Sequence, residues 1–218
     1  MIPLHGDNPT RTFSFVTFTL IIANVLVFVR ELSGMDAFVH HYALVPAALV
    51  EVQSWREIST IFTSMFLHGS WMHLIGNMLY LWIFGINVED AIGHFRFIVF
   101  YLLCGLGAAA AQVLVSPDSI VPVVGASGAV SGVLGAYLLL FPRARVLVLV
   151  PIWFFLRFIY VPAWLMLVVW FGVQLLSGLV VTGINLHGGV AFWAHVGGFV
   201  AGMALILILE KRRVKLFQ

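Results

Sequence analysis

A long stretch without charged residues is the feature that most constrains how this chain can fold. No Asp, Glu, Lys or Arg occurs between Arg157 and Glu210. The whole chain of 218 residues is 62% hydrophobic and only 9% charged, with a mean hydropathy of +1.08, whereas soluble domains carry roughly 25% charged residues. A soluble fold of this length cannot bury so much apolar surface. We therefore expect an integral membrane protein with a single compact domain over residues 1–218.

Charge-free stretches predict six membrane spans. The stretch after Arg157 is too long for one helix, and it is interrupted at Gly183-Ile-Asn-Leu-His-Gly-Gly189, so we divide it into two spans. The predicted spans cover residues 13–30, 71–88, 95–115, 127–141, 159–182 and 191–209. The sequence thus predicts an all-α membrane protein with six transmembrane helices around a short, central fourth helix. Residues 31–68 and 143–157 form the long connections.

The positions of the basic residues predict the orientation of the spans. If the N-terminus is cytoplasmic, Arg30 and Arg56 are the only basic residues on the outer side of the membrane. With six spans, the C-terminus is then cytoplasmic as well. Because topology accounts for these residues, the net charge of +2 does not indicate a nucleic-acid partner. The nine basic residues expected on the cytoplasmic side are Arg11, Arg96, Arg143, Arg145, Arg157, Lys211, Arg212, Arg213 and Lys215.

Four polar residues are predicted to lie at nearly the same depth in the membrane. Spans 71–88, 127–141 and 191–209 all run from outside to inside, and a helix rises about 1.5 Å per residue. Ser127 and His195 then lie roughly 22 Å above the inner boundary, with His73 at roughly 24 Å and Asn77 at roughly 18 Å. In a hydrocarbon core about 30 Å thick, all four lie about 6–12 Å below the outer surface. Since polar groups in a bilayer are costly, we expect a reaction centre there.

Ser127 is the candidate nucleophile, because it stands where a loop becomes a helix. The apolar approach, residues 120–125, contains Pro and Gly, and irregular backbone at membrane depth must be enclosed in protein or line a wet cavity. Gly125 permits a tight turn, and with Gly128 it completes the sequence Gly125-Ala-Ser127-Gly128. Free N–H groups at a helix start can stabilise a developing oxyanion.

His195 is the candidate general base, since a serine hydroxyl is a weak nucleophile and imidazole titrates near neutrality. Gly198 and Gly202 lie on the same helical face as His195 and permit close contact with another helix. No acid is well placed as a third member, because Asp118 belongs to the outer connection. We therefore predict a Ser–His dyad whose imidazole is oriented by packing. The matching face of span four is predicted to consist of Ser127, Ser131 and Gly135.

His73 and Asn77 are candidate oxyanion donors, because residues four apart lie on one face of a helix. Together with the backbone N–H of Ser127, they could hold the oxyanion of a tetrahedral intermediate. His68 precedes this helix, where it could brace the loop or bind water.

Other classes of function remain open at this point. A serine or a glycine-rich stretch in a membrane helix often serves packing alone. Histidines could bind a metal, but no HExxH motif or acidic ligand accompanies them, so no metal or cofactor is predicted. A transporter or channel also uses broken helices with buried polar groups. Here span four is broken without a matching break in span one, and no carboxylate or salt pair is embedded in the membrane.

From Trp55 to Gly202 the chain resembles the rhomboid family of intramembrane serine proteases. The resemblance rests on the order of motifs along the chain and on the spans that carry them. These motifs are Trp55-Arg56, His68-x4-His73-x3-Asn77, Glu89 with Gly93, Gly125-Ala-Ser127-Gly128, and Ala194-His195-Val-Gly-Gly198.

The resemblance implies cleavage of single-pass membrane proteins within or beside their transmembrane segments. Ser127 would be the nucleophile and His195 the base, with His73, Asn77 and the Ser127 N–H as the oxyanion site. It further implies lateral entry of substrate past the Trp170, Phe171 and Gln174 region of span five and the Leu114–Gly125 loop.

Some relatives carry an aromatic residue at the position of Ser131 that stacks on the catalytic histidine, so in this chain another residue must fix the imidazole ring. The expected location is the inner (plasma) membrane of a prokaryote, with the active site open to the extracytoplasmic side. The alternative is an inactive relative that holds or sorts membrane clients. The oligomeric state stays open.

Overall fold

The computed structural model describes residues 2–52, 54–152, 155–183 and 190–209. Most of these residues are helical, as expected for a chain so rich in apolar residues. The predicted break between spans five and six falls largely on residues 184–189, and the basic cluster Lys211, Arg212, Arg213 and Lys215 follows residue 209. Both features lie outside the described residues.

Four stretches of helix in the described ranges are long and apolar enough to cross a membrane. The first, Trp71–Ile92, comprises α5 (Trp71–Tyr80) and α6 (Ile86–Ile92), which are joined by a single π-helical turn, Leu81–Gly85. The chain is therefore a multi-pass membrane protein. The other three are α7 (His94–Val115), α9 (Ala163–Gly183) and α10 (Phe192–Leu209).

Two shorter helices occupy the positions of the other predicted spans. The first helix, α1 (Phe15–Glu31), has 17 residues, and α8 (Ser127–Leu140) has 14. Helix α8 is the most enclosed helix, because nearly every side chain along it is buried. Its central position agrees with the prediction of a short helix that the others surround.

The connection at residues 31–68 is folded into short helices that support the loop before α8. These are α2 (Met35–Tyr42), α3 (Pro46–Val52) and α4 (Trp55–Thr63), followed by a 3₁₀ turn at Ser64–Phe66. The Leu44 and Val123 backbones exchange two hydrogen bonds, and the N–H of Gly125 donates to the carbonyl of Ser64 at 2.9 Å. The irregular approach to Ser127 is thus tied by backbone hydrogen bonds to the preceding helices and lines a cavity, which is one of the two settings that irregular backbone at membrane depth requires.

A small antiparallel sheet is the part of the fold that the sequence analysis missed. Strands β1 (Ile2–Gly6), β2 (Arg145–Ile152) and β3 (Phe155–Pro162) pair in the order β1-β2-β3. The described part of the connection at residues 143–157 is therefore mostly strand, and α9 begins at Ala163, four residues after the start of about 159 predicted for span five. Val146 and Val148 point to one buried face, which is the two-residue period of a strand.

Glycines let the backbones of α8 and α10 approach each other closely. A Cβ atom placed on Gly198 would lie 2.0 Å from the carbonyl oxygen of Gly128, and one placed on Gly202 would lie 2.0 Å from that of Gly132. The contact face of α8 therefore includes Gly128 and Gly132, in addition to the predicted Gly135. Ser131 instead donates a hydrogen bond to the carbonyl of Ser127 within its own helix, at 2.6 Å.

Two carboxylates of α6 bind the first turn of α1 and the residues just before it. The buried Glu89 accepts hydrogen bonds from the backbone N–H groups of Val16 and Thr17, at 3.0 and 2.7 Å. Asp90 accepts from the N–H groups of Arg11 and Thr12, at 3.1 and 2.8 Å. Negative side chains are favourable at a helix N-terminus, so this contact fixes α1 against the helix that carries His73 and Asn77.

Replacing Gly202 with alanine tests the close contact between α8 and α10. Because the added methyl group meets backbone atoms of Gly132 that cannot turn aside, Gly202→Ala should lower the free energy of unfolding by about 1–3 kcal/mol. Gly172→Ala is the matched control, since nothing lies within 4 Å of the added Cβ in α9. Thermal unfolding in detergent measures both variants. Equal melting temperatures would contradict the account.

Candidate active site

Ser127 and His195 form a hydrogen-bonded pair at the start of two neighbouring helices. The Oγ of Ser127, the first residue of α8, lies 2.8 Å from Nε2 of His195 in the first turn of α10. The contact is possible because glycines bring these two helices together. The amide oxygen of Gln112 on α7 also accepts from the N–H of Ala194, at 3.3 Å, and so fixes the start of α10.

Gly125 shapes the turn that delivers Ser127 to the helix. Its φ of +121° lies in a region that residues with a side chain rarely adopt. A Cβ atom at this position would also lie 2.7 Å from Cε1 and Nε2 of His73 and 3.5 Å from the amide nitrogen of Asn77. The loop backbone therefore touches both predicted oxyanion donors only because position 125 has no side chain.

Gln174 and Trp170 on α9 contact the far side of His195. The amide oxygen Oε1 of Gln174 lies 2.8 Å from Nδ1 of His195. The rings of Trp170 and His195 lie 5.9 Å apart between centroids, inclined at 35°. The imidazole is therefore held by a hydrogen bond as well as by packing, whereas the sequence analysis predicted packing alone.

His68 holds Asn77 in position from outside the cavity. The Nδ2 of Asn77 lies 3.0 Å from Nε2 of His68. Since an amide nitrogen only donates, Nε2 accepts and the neutral imidazole carries its proton on Nδ1. The N–H of His68 in turn donates to the buried carboxylate of Glu31, 3.1 Å from Oε2. This contact with Asn77 differs from the two roles predicted for His68, bracing the loop and binding water.

Burial keeps His68 neutral. This side chain is fully buried, and burial, together with the nearby His73, lowers the pKa of His68 from 6.5 to about 4. The rings of His68 and His73 lie 5.1 Å apart between centroids, at 68° to each other. A neutral imidazole is the form that can accept the hydrogen bond from Asn77.

A cavity of about 1030 Å³ joins the predicted site residues. It extends past the loop at residues 116–125 and along α9, towards Gly178 and Thr182. Gly198 and Gly202 do not line the cavity; they bring the helices together from behind. The site residues that line it are His73, Asn77, Gly125, Ser127, Gly128 and His195.

This arrangement has the parts that acyl transfer needs. A hydroxyl bonded to an imidazole can lose its proton as it attacks a carbonyl carbon. The first N–H groups of α8 lack partners within the helix, and the Asn77 amide and the His73 ring line the same cavity as the hydroxyl, so this cavity contains groups able to donate hydrogen bonds to an oxyanion. The sequence predicts Gln174 only as part of a gate. The feature that could have pointed to a role in the site is that Gln174 is the lone amide side chain in a charge-free span.

Comparison with known proteins gives one family. The Rhomboid domain matches residues 51–212 of this chain. RHOMBOID-like protein 6, mitochondrial, of Arabidopsis thaliana is 34% identical over 161 residues, which are 72% of this chain and 44% of that protein.

Two bacterial proteins that are named as proteases are also similar to this chain. Rhomboid protease GluP of Bacillus subtilis is 31% identical over 134 residues, covering 62% of this chain and 25% of that protein. Rhomboid protease AarA of Providencia stuartii is 29% identical over 137 residues, covering 56% and 49%. The matched regions thus span less than half of each relative's own length.

The depressed pKa of His68 predicts a loss of stability in acid. A group whose pKa is lower in the folded state stabilises the fold fully above its unfolded pKa of 6.5, and this contribution is lost as the pH falls through about 4. The melting temperature should therefore fall between pH 6.5 and 4. His68→Gln keeps an acceptor for Asn77 but does not titrate, so its melting temperature should fall less. Identical pH profiles for the two proteins would rule out this contribution.

Proposed function

The chain belongs to the rhomboid family, and we propose that it is an intramembrane serine endopeptidase that cleaves transmembrane segments of single-pass membrane proteins with a Ser–His dyad. The observation that carries the proposal is the 2.8 Å contact between Ser127 Oγ and His195 Nε2 beside a large cavity. Polar and ionisable side chains within membrane spans are costly to bury and are typical of functional sites. The proposal gives both groups a use.

The proposed reaction proceeds in two transfers. Ser127 Oγ attacks the carbonyl carbon of the scissile peptide bond while His195 Nε2 takes the hydroxyl proton. The oxygen of the tetrahedral intermediate is held by His73, Asn77 and the N–H of Ser127. The C–N bond then breaks as His195 returns the proton to the leaving amine. Water then attacks the acyl-enzyme while His195 takes its proton. The bond between the acyl carbon and Ser127 Oγ breaks as His195 passes this proton to Oγ, which restores both residues.

The supporting residues have distinct structural roles in this proposal. Gly125 forms the turn before Ser127 and leaves room for His73, and His68 holds Asn77. Gly128 forms a close contact with Gly198, and Gly202 forms one with Gly132 in the next turn.

The proposed topology has six spans in one domain over residues 1–218, with α1 and α8 as the first and fourth spans and both termini cytoplasmic. The site residues lie near the N-terminal ends of α5, α8 and α10, so this orientation opens the active site to the extracytoplasmic side. Because GluP and AarA are bacterial proteins, we propose the inner membrane of a prokaryote as the location. Substrates would enter between α9 and the loop at residues 114–125, which border the cavity.

Cleavage of a single-pass membrane protein in proteoliposomes tests the proposed function. The wild type should produce a cut within or beside the transmembrane segment, and Ser127→Ala and His195→Ala should each abolish it. Ser59→Ala is the control, since it removes an exposed hydroxyl from α4 that does not line the cavity, and it should cleave at the wild-type rate. Full activity of Ser127→Ala would refute the nucleophile assignment. Binding without cleavage by the folded wild type would favour a client-binding protein.

A further inference from the structure

We propose that Gln174 is the positioning residue of the dyad: its amide oxygen holds the Nδ1–H of His195, so that Nε2 faces Ser127 without a proton. This inference rests on the proposed function and extends it, because it assigns a third residue to the same site. The two contacts of the imidazole, to Gln174 and to Ser127, are both 2.8 Å long.

The hydrogen bond selects one tautomer of His195. An amide oxygen only accepts, so Nδ1 of the neutral ring must carry the proton and Nε2 must carry the lone pair. Only this tautomer can take the proton of the Ser127 hydroxyl. Gln174 is 9% exposed, so little water competes for its oxygen, and the partner of one ring nitrogen sets the role of the other.

The same contact stabilises the charged ring that forms during the reaction. When His195 takes the proton of Ser127, both ring nitrogens become donors, and Gln174 provides the acceptor for one of them. The sequence has no Asp or Glu between Asp118 and Glu210, so α8, α9 and α10 offer no carboxylate for this role over their described lengths. A neutral amide oxygen is thus the acceptor that these helices supply.

Trp170, one helical turn before Gln174 on α9, also contacts His195. Residues 170 and 174 are four apart and so lie on the same face of α9, and both contact His195. The indole limits tilting of the imidazole ring, while the amide fixes its rotation. Because Ser131 stands where some relatives carry a stacking aromatic residue, the sequence does not identify which residue fixes the imidazole ring of His195. The amide of Gln174 and the indole of Trp170 fill that role.

Variants of Gln174 separate a positioning role from a merely structural one. Gln174→Ala should reduce kcat roughly 10- to 100-fold, the size of effect expected when a charged imidazole loses its hydrogen-bond acceptor, with little change in KM. Gln174→Glu should retain more activity than Gln174→Ala. Its acid limb of kcat against pH should move up by about one unit or more, because a nearby carboxylate favours the protonated imidazole. Thr19→Ala removes an exposed hydroxyl from α1, which bonds within its own helix and away from the cavity, and should leave kcat unchanged.

The possible outcomes decide the inference. Wild-type kcat in Gln174→Ala would overturn it while leaving the proposed protease function intact. Equal losses of kcat in both Gln174 variants, with lowered melting temperatures and an unmoved acid limb, would also overturn it in favour of a structural role. Failure of the wild type to cleave would refute the proposed function and this inference together.

A second inference concerns the exposed strand β3: we infer that it lies in the headgroup layer of the bilayer. Side chains on both of its faces are apolar and exposed, with Phe155 at 69%, Phe158 at 64% and Tyr160 at 57%. The strand leads directly into α9, which is long and apolar enough to span the membrane. The exposed apolar surface of β3 is therefore continuous with the surface of α9 that faces lipid.

The backbone groups of β3 show that this strand does not lie in the hydrocarbon core. Within the described residues it is an edge strand that pairs with β2 alone, so over that part of the chain its other side presents N–H and C=O groups without a strand partner, which hydrocarbon does not tolerate. The headgroup layer supplies water for these groups and favours aromatic side chains. Arg157, exposed in the same strand, and Arg143 and Arg145, exposed beside it, suit anionic headgroups.

A spin label reports the depth of β3. The label is attached at Phe158→Cys in a Cys104→Ala background, which removes the single native cysteine, in vesicles that contain anionic lipid. Val173→Cys, exposed on α9, and Asp118→Cys, in the loop after α7, are the hydrocarbon and water references. Collisions with oxygen and with a water-soluble nickel complex should place Phe158 between the two. A value equal to either reference would overturn the inference.

Discussion

The close contact between the backbones of α8 and α10 is the interaction on which the rest of the site depends. Lipid removes most of the hydrophobic force between helices, so they associate through close packing and hydrogen bonds. A Cβ atom at Gly198 or Gly202 would lie 2.0 Å from a carbonyl oxygen of α8, so neither position admits a side chain. This contact brings the start of α10 against the start of α8, where Ser127 and His195 are 2.8 Å apart.

Once these helices are in contact, polar side chains of the site form hydrogen bonds with one another. His195 is held between Ser127 and Gln174, and Asn77 is held by His68. Buried polar groups without partners cost about 1–3 kcal/mol each, so these pairs both stabilise the fold and fix the orientation of the reactive atoms. The cavity beside them gives a substrate and water access to the hydroxyl. Stability and proposed chemistry thus rest on the same hydrogen bonds.

The sequence predicted the four long membrane helices and named residues that the structure brings around one cavity, because charge-free runs and helical spacing are local patterns. It did not predict the sheet, in which β1 near the N-terminus pairs with β2 across most of the chain. In so apolar a chain, the alternation of Val146 and Val148 is difficult to distinguish from the start of a span. The contact of Gln174 with His195 was missed for a related reason, since it depends on how α9 is rotated against α10. Spacing along one helix carries no information about that rotation.

The central claim is that Ser127 is activated by His195, and a covalent serine probe tests it most directly. The folded wild type in detergent would be treated with a fluorophosphonate, and the adduct would be located by mass spectrometry of the peptides. The account predicts one adduct, on Ser127, which is absent in His195→Ala although that variant still folds. An adduct on another serine, or equal labelling of Ser127 with and without His195, would contradict the account.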